Sequence, residues 1–304
     1  MKPRDLADLL LLAAIWGSSF LFMRLAAPAF GPVALAFVRV LGAAALLLPL
    51  LAWRGEFGAL RRHWRALGLV GLSNSALPFL CFGYAALTLP AGLSSVFNAA
   101  TPLATALIGW LWLGDAPNRW RGLGLGLGFA GVAGLALHKS LAGGQAGALA
   151  WEVPTALAIA ACLAGTLLYG HAANASRRWL QGVPAMAMAA ATQAAAAVAL
   201  AVPAALTWPA RMPGAAQWAM AAGLAVLCSG LAYILYFRLL SRVGATSAAS
   251  VTFLIPVFAS AWGALLLDEV LTTAMLVGGA VILAGTALVL GLWPRPAGKA
   301  AAPA

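Results

Sequence analysis

The sequence predicts an all-α integral membrane protein with ten transmembrane helices in two inverted five-helix repeats. Three observations support this prediction: the apolar composition, ten apolar runs of spanning length, and a match between the two halves of the chain. Of the 304 residues, 63% are hydrophobic and only 8% are charged, whereas soluble domains have about 25% charged residues. Ten helices of about 20 residues would leave about 100 residues for loops and tails, so a sizeable domain outside the membrane is excluded.

Ten apolar runs, separated by charged or Gly- and Pro-rich breaks, are each long enough to cross the membrane as a helix. Helices are predicted because every peptide group in hydrocarbon must be paired within its own segment, and because the runs are about twice as long as a barrel strand. In chain order they cover residues 6–26, 33–53, 66–88, 91–113, 120–138, 152–174, 183–207, 216–240, 245–267 and 272–293.

The distribution of basic residues predicts the orientation. With an even number of helices both termini lie on one side, and the loops of the other side contain only Arg24, Lys139 and Arg211. Arg39 lies within the second helix, and every other Lys or Arg falls on the side of the termini. Because loops rich in Lys and Arg stay in the cytoplasm, the sequence predicts a bacterial inner-membrane protein with both termini cytoplasmic. The net charge of +11 therefore reports orientation, and nucleic-acid binding is not expected.

The two halves of the chain match at an offset of 154 residues, which is close to half its length. The offset pairs Pro49 with Pro203, Ser75 with Ser229, Pro102 with Pro256, Asp115 with Glu269, Gly124 with Gly278, Gly131 with Gly285, and the polar Arg39 with Gln193. Because five helices is an odd number, the second repeat (146–304) must enter the membrane from the side opposite to the first (1–145). Inverted repeats are typical of transporters that work by alternating access; a duplicated bundle without a transport role is the alternative.

Four segments carry a resemblance to a known family. They are WGSSF at residues 16–20, AFVR ending at Arg39, GYAALTLPAGLSSVFNAATPLATALIGWLWLGD ending at Asp115, and YILYFRLLSRVGATSAASVTFLIPVFASAWGALLLDE ending at Glu269. The segments resemble the EamA-type permeases of the drug/metabolite transporter superfamily, in which each half ends with a Pro, an apolar helix, an acidic turn and a Gly-spaced helix. The resemblance covers nearly the whole chain, although Asp115 stands where the pattern usually shows Glu.

This resemblance implies an architecture and a mechanism. Ten helices would surround a central cavity lined chiefly by the third, fourth, eighth and ninth helices, together with the first and sixth. Family members carry amino acids, nucleotide sugars, cations and other metabolites, so the resemblance implies export of a small metabolite by alternating access. In length and single-chain form the sequence is similar to bacterial amino-acid exporters of the YddG type, which implies neutral or aromatic amino acids as substrates. A multidrug or other metabolite exporter of the same superfamily is the alternative.

Arg39 is the one formal charge well inside a predicted helix. Placing Arg at the membrane centre costs about 2.5 to 3.5 kcal/mol, so its guanidinium requires a partner. One hypothesis is that it binds a substrate carboxylate in bidentate fashion. The other is that it donates to backbone carbonyls at a kinked helix, or that it extends to the nearby membrane surface.

Small polar and aromatic side chains are candidates to line the cavity. Ser94, Asn98 and Thr101 are spaced so that they share one face of a straight helix, and Asn98 has the largest polar group of the three. Such a stripe lines a wet path or joins helices through hydrogen bonds. The predicted substrate-binding residues are Trp16, Ser19, Arg39, Asn74, Tyr84, Ser94, Asn98, Thr101, Tyr233, Ser250 and Phe253.

His171 is the only histidine that lies more than one residue inside a predicted helix, since His138 is the last residue of the fifth. Histidine changes charge near neutral pH, so His171 is either a proton carrier or a polar cap at the membrane surface. All seven acidic residues lie at helix ends or in loops, and a carboxylate proton relay is therefore not predicted.

Enzymatic function is disfavoured, because the predicted helices contain no paired carboxylates, no His with a metal partner and no Ser with a base. The three cysteines form no metal-ligand pattern, and GLGFAG at residues 126–131 lacks the preceding strand that a dinucleotide fingerprint requires. The pairs Gly122 with Gly126 and Gly124 with Gly128 are instead typical of close helix packing. We expect no cofactor, metal, nucleic acid or obligate protein partner; the expected partners are a small-molecule substrate and the lipid bilayer.

Overall fold

The computed structural model describes residues 2–141 and 153–292, and every regular element in these ranges is a helix. The predicted boundary between the repeats, at residues 145 and 146, lies outside the described residues. The elements are α1 (Pro3–Trp53), α2 (Phe57–Gly71), α3 (Leu77–Ala85), α4 (Ala91–Asn98), α5 (Thr101–Leu113), α6 (Arg119–Leu141), α7 (Val153–Trp179), α8 (Ala185–Leu206), α9 (Ala215–Gly223), α10 (Ala232–Ala249), α11 (Val251–Leu267) and α12 (Thr273–Leu290), with π-helical segments at Leu72–Ala76 and Leu224–Leu231.

Within the described ranges, eight helices are long and apolar enough to cross a membrane when continuous segments are counted together, and Val251–Leu267 is a shorter apolar helix. This number differs from the ten predicted, chiefly because α1 contains both the first and the second predicted helices. Inside α1, Gly31 has φ 73° and ψ 157° and kinks the helix. Inside α10, Gly244 has φ 79° and ψ 169°. Glycine adopts these left-handed angles without the steric cost that a Cβ would bring, and both kinks fall where the sequence predicts a connection.

The third predicted helix begins earlier than its apolar run. The sequence predicts residues 66–88, whereas helical structure begins at Phe57, includes Arg61 and Arg62, and is kinked at His63 (φ −116°, ψ 19°) before it continues into the predicted run. Hydropathy detects only the part of a helix that lies in hydrocarbon. The polar first turns of α2 were therefore missed.

Two other irregularities lie at matching positions of the two halves. The π-helical segments Leu72–Ala76 and Leu224–Leu231 contain Ser75 and Ser229, which the offset of 154 residues relates to each other. A π-helical turn changes the direction of the side chains that follow it. In the first half, the helix also breaks between Asn98 and Thr101, directly before Pro102.

The packing places α1 at the centre and α6 with α12 at one side. α1 contacts α3, α8, α9 and α11, whereas α6 contacts mainly α12. The α6–α12 contact depends on glycine, because a Cβ at Gly124 would lie only 2.7 Å from the carbonyl oxygen of Gly285. Helices in lipid gain little from hydrophobic burial and approach closely through small residues. The prediction of close glycine packing is therefore confirmed for Gly124 and Gly128, whereas it is wrong for Gly122 and Gly126, where a Cβ would meet no atom within 4 Å.

Candidate functional site

A cavity of about 830 Å³ lies in the interior of the helix bundle. Its walls come mainly from α1, α3, α5, α7, α10 and α11, while the α6–α12 pair contributes only Arg121, Val289 and Leu290. Seven of the predicted substrate-binding residues line it: Trp16, Ser19, Arg39, Asn74, Asn98, Thr101 and Tyr233. A cavity of this size, with few polar groups among aromatic walls, suits a small metabolite.

Four predicted residues lie outside the cavity lining. Tyr84 is 37% exposed on α3, and Ser94 is buried within α4. Ser250 and Phe253 are half-buried at the start of α11, where Thr252 and Ile255 face the cavity instead. Ser94 lies one turn before Asn98 on α4, and at 3% exposure it is buried in the packing of that helix. Asn98 and Thr101, on either side of the break, both line the cavity.

Arg39 forms the polar centre of the cavity. Its Nε donates to Ser229 Oγ at 2.9 Å, and its Nη1 approaches Met23 Sδ at 3.8 Å. The guanidinium lies over the Phe79 ring, with Cζ 3.7 Å from the ring centroid. The residue is only 6% exposed, so it does not extend to the membrane surface. No backbone carbonyl or carboxylate of the described residues contacts its guanidinium.

The contact between Arg39 and Ser229 has a counterpart in the other half. Gln193 Nε2 donates to Ser75 Oγ at 3.0 Å, and Gln193 and Ser75 are the residues that the offset of 154 relates to Arg39 and Ser229. Both contacts join the first half of the chain to the second. Gln193 is fully buried and lies outside the cavity lining, so the matching position in the second half is a closed hydrogen bond without a charge.

Aromatic rings and an amide surround the guanidinium. Asn74 Nδ2 donates to Tyr233 Oη at 3.0 Å, which ties α10 to the π-helical segment before α3. Tyr169 stacks on Phe82 with ring centroids 6.0 Å apart, and both line the cavity. Trp16 donates its indole N–H to the Cys228 carbonyl at 3.2 Å. These groups form a mostly apolar chamber that also contains the Arg39 guanidinium.

The cavity extends to one end of the bundle, which we call the Asp115 end and define by Asp115, Arg121 and Arg177. All three line the cavity, and Asp115 forms an ion pair with Arg177. Nearby, Asn174 Nδ2 donates to the Thr105 carbonyl at 2.9 Å. The sequence predictions did not include these residues.

The internal repeat could have revealed the ion pair at the Asp115 end. The offset relates Asp115 to Glu269, and Arg178, next to Arg177, to Arg24. The matching pair is present: Arg24 Nε lies 3.8 Å from Glu269 Oε1. We call this region, defined by Arg24, Glu269 and Ala91, the Glu269 end.

The Glu269 end is closed. The Glu269 carboxylate accepts hydrogen bonds from the backbone N–H of Ala91 at 2.9 and 3.1 Å. Arg24 Nη1 also donates to the carbonyls of Ala86 and Leu87 at 2.8 and 3.0 Å. Arg24, Glu269 and Ala91 are not among the residues that line the cavity. The starts of α4 and α12 are thus held against the middle of α1 at this end.

His171 lies on α7 outside the cavity lining. Its ring stacks on Trp112, with centroids 5.3 Å apart and planes at 13°. The Arg178 guanidinium covers the same Trp112 ring at 5.4 Å. This arrangement is typical of packing between α5 and α7 near the Asp115 end.

Comparison with known proteins decides the family. The sequence profile of the EamA-like transporter family matches residues 7–137 and residues 156–291. The chain belongs to the EamA-like transporter family. This EamA-like protein is therefore a multi-pass membrane transporter of the drug/metabolite transporter superfamily, and not an enzyme. Its partners are accordingly a small-molecule substrate and the lipid bilayer.

Two further comparisons agree with this assignment. The EamA-like protein is 27% identical over 288 residues to the "Uncharacterized transporter YvbV" of Bacillus subtilis (strain 168), across 95% of this chain and 92% of the relative. A solved crystal structure with 18% sequence identity has a TM-score of 0.64 and covers 96% of this chain and 98% of its own. That likeness shows a shared fold.

Proposed function

We propose that this EamA-like transporter exports small metabolites by alternating access, with the cavity around Arg39 as the substrate site. Neutral or aromatic amino acids are the first substrates to test, and a multidrug or other metabolite exporter is the alternative. The observation that carries the proposal is a buried cation among aromatic walls in a cavity that reaches one end of the bundle and is closed at the other. The proposed binding residues are the seven predicted residues of the lining.

We further propose ten membrane-spanning helices in two inverted repeats, residues 1–145 and 146–304. The kinks at Gly31 and Gly244 support this number, since each divides a long helix where a connection is expected. The two matching hydrogen bonds between the halves, at Arg39 and at Gln193, support the symmetry. With the basic loops inside, the termini and the Asp115 end face the cytoplasm of a bacterial inner membrane.

Alternating access then requires a second conformation in which the Glu269 end is open and the Asp115 end is closed. In the conformation described, the Glu269 carboxylate caps the N–H of Ala91 and closes its end. The residue that the offset relates to Ala91 is Ala245, directly after the kink at Gly244. In the opposite conformation, Asp115 is expected to cap the backbone N–H of Ala245 while Glu269 releases Ala91. The two acidic turns would therefore act as alternate latches.

Transport by the purified protein in liposomes tests the proposed function. Labelled amino acids and cationic drugs are offered with and without a proton gradient, and uptake of at least one neutral or aromatic amino acid is expected. Asn98→Ala should slow this uptake about threefold to tenfold, the equivalent of one lost hydrogen bond. Thr207→Ala, which changes an exposed hydroxyl at the end of α8, is the matched control. A panel in which no compound crosses contradicts the proposal.

A further inference from the structure

Arg39 has more hydrogen-bond donors than the described residues satisfy. A guanidinium has five N–H groups, and the structure pairs its Nε with Ser229 Oγ and its Nη1 with the weak acceptor Met23 Sδ. Arg39 is only 6% exposed, and it lines the cavity. Its remaining N–H groups thus have no partner among the described residues, on a side chain that borders the space a ligand would occupy.

Neither structural explanation for a buried arginine applies here. The guanidinium does not reach the membrane surface, and it contacts no backbone carbonyl among the described residues. Stacking on Phe79 at 3.7 Å offsets part of the desolvation cost, but it leaves the N–H groups at the edge of the plane unpaired. A carboxylate accepts two parallel N–H bonds from such an edge. The missing partner is thus a planar anion.

The charges of the lining residues favour an anionic ligand over a zwitterionic one. The described lining contains three arginines, Arg39, Arg121 and Arg177, and one acid, Asp115, which is already paired with Arg177 at the mouth. The other polar side chains of the described lining, such as the amides of Asn74 and Asn98, are neutral. An ammonium group there would lose its hydration, would gain no opposite charge and would be repelled by Arg39.

We propose that the cavity binds monoanionic carboxylates in preference to the zwitterionic amino acids that have the same side chain. The ligand carboxylate pairs with Arg39, and its apolar or aromatic body lies against Trp16, Phe82 and Tyr169. Deaminated acids, such as aryl- and alkyl-carboxylates and 2-oxo acids, belong to this class. The inference rests on the proposed function, since it narrows the substrate of the same cavity: the carboxylate is retained and the ammonium is disfavoured.

Two sets of compounds that share one body and differ in charge test the proposal. The aromatic set is 3-phenylpropanoate, phenylalanine and phenethylamine; the aliphatic set is 4-methylpentanoate, leucine and 3-methylbutylamine. Binding to the full-length protein in nanodiscs is measured by titration calorimetry at neutral pH, which avoids passive leakage of the free acids. In at least one set, the anion should bind roughly tenfold or more tightly than the zwitterion, and the cation should bind most weakly.

Variants assign this preference to Arg39. Arg39→Gln should reduce the preference for the anion over the zwitterion to within about threefold, and Arg39→Lys should retain part of it. Gln193→Leu is the matched control, because it removes the equivalent buried hydrogen bond in the other half without changing the charge of the cavity. This variant should keep the preference of the wild type. Thermal unfolding of each variant in nanodiscs verifies that it is folded.

Each outcome has a distinct meaning. Equal binding of anion and zwitterion in both sets, absence of binding by all six compounds, or a preference that survives Arg39→Gln overturns the inference. Transport of amino acids in the liposome assay together with equal binding leaves the proposed function intact. An anion preference that depends on Arg39, in a protein that transports no compound, supports the binding site and contradicts the proposed function.

Discussion

The Glu269 end and the Asp115 end share a local structure. Each acid directly follows a long apolar helix, and its backbone N–H donates to the carbonyl of a glycine in that helix. The bond from Asp115 to Gly109 measures 3.2 Å, and the bond from Glu269 to Gly263 measures 3.1 Å. Each carboxylate also lies near an arginine from the other half, Arg177 or Arg24. The two turns are thus nearly interchangeable by sequence.

Their surroundings differ. The Glu269 side chain is 14% exposed and caps the first turn of α4, whereas the Asp115 side chain is 48% exposed and lines the cavity. The two carboxylates differ in exposure because the N-terminus of α4 lies within hydrogen-bond distance of Glu269, whereas no helix N-terminus of the described residues donates to Asp115. This contrast teaches that similar local motifs can have different contacts in one conformation, which is the difference that the proposed exchange of latches requires.

The largest expected effect is a difference in cysteine labelling between the two sides of the membrane, which tests whether the Asp115 end faces the cytoplasm. In a background without the three native cysteines, Met212→Cys and Arg62→Cys place single thiols at exposed positions on opposite predicted sides. An impermeant maleimide added to intact cells should label position 212 and should label position 62 only after permeabilisation, because basic loops remain inside. The opposite pattern would place the Asp115 end outside.

Glu269→Ala should open the closed end. The change removes one charge-assisted hydrogen bond, the bifurcated bond from the Ala91 N–H, which is worth about 1.5 to 3 kcal/mol, together with the ion pair to Arg24. The conformation open at the Glu269 end should increase at least about tenfold. Ala91→Cys, at a position that is 2% exposed, should then react faster with the impermeant maleimide. Asp268→Asn is the control, because it removes the neighbouring charge but none of these contacts; an equal increase with this variant contradicts the latch.

Asp115→Ala should change the labelling rate of Ala91→Cys in the opposite direction to Glu269→Ala, and by a smaller factor. In the conformation described it removes one half-exposed ion pair, worth at most about 1 kcal/mol. In the opposite conformation it removes the proposed cap of Ala245. The described conformation should therefore gain population, and labelling of Ala91→Cys should slow about threefold. Combining Asp115→Ala with Glu269→Ala should restore labelling toward the wild-type rate, whereas faster labelling with Asp115→Ala alone contradicts the exchange.

His171→Ala should have the smallest effect. His171 packs on Trp112 near the Asp115 end and lies outside the cavity lining, so the transport rate should stay within about twofold of the wild type. A facilitator should also reach the same final substrate level when the proton gradient is dissipated. Accumulation that depends on the gradient and is lost with His171→Ala would instead identify His171 as the proton carrier.

Sequence reasoning reached the helices more accurately than the site. The apolar runs predicted α12, α8 and the end of α3 to within a few residues, because hydrocarbon requires both apolar side chains and paired backbone groups. Prediction from hydropathy fails where helical structure contains polar residues, as at Arg61 and Arg62 in α2. Hydropathy contains no signal for helix outside the lipid.

The site prediction succeeded where a residue type was unusual and failed where it depended on direction. Arg39 was found because a charge within a spanning helix is rare and costly. Ser94 lies outside the cavity lining because it is buried in helix packing one turn before Asn98, and spacing along the chain does not distinguish a packed face from a cavity wall. Asn174 is not among the predicted site residues, because an amide near a helix end is common and does not by itself indicate a binding site.

By itself, the sequence determined the class of protein, the number of apolar runs, the repeat and the presence of a buried cation. These properties follow from composition and spacing, which the chain has before it folds. Only the tertiary structure decided that Arg39 faces a cavity while Gln193 is sealed, and that Glu269 holds a helix N-terminus while Asp115 does not. The physical reason is that these outcomes depend on distances between helices that are remote in the chain. If the proposed inverted repeat is correct, both choices are equivalent until the helices pack.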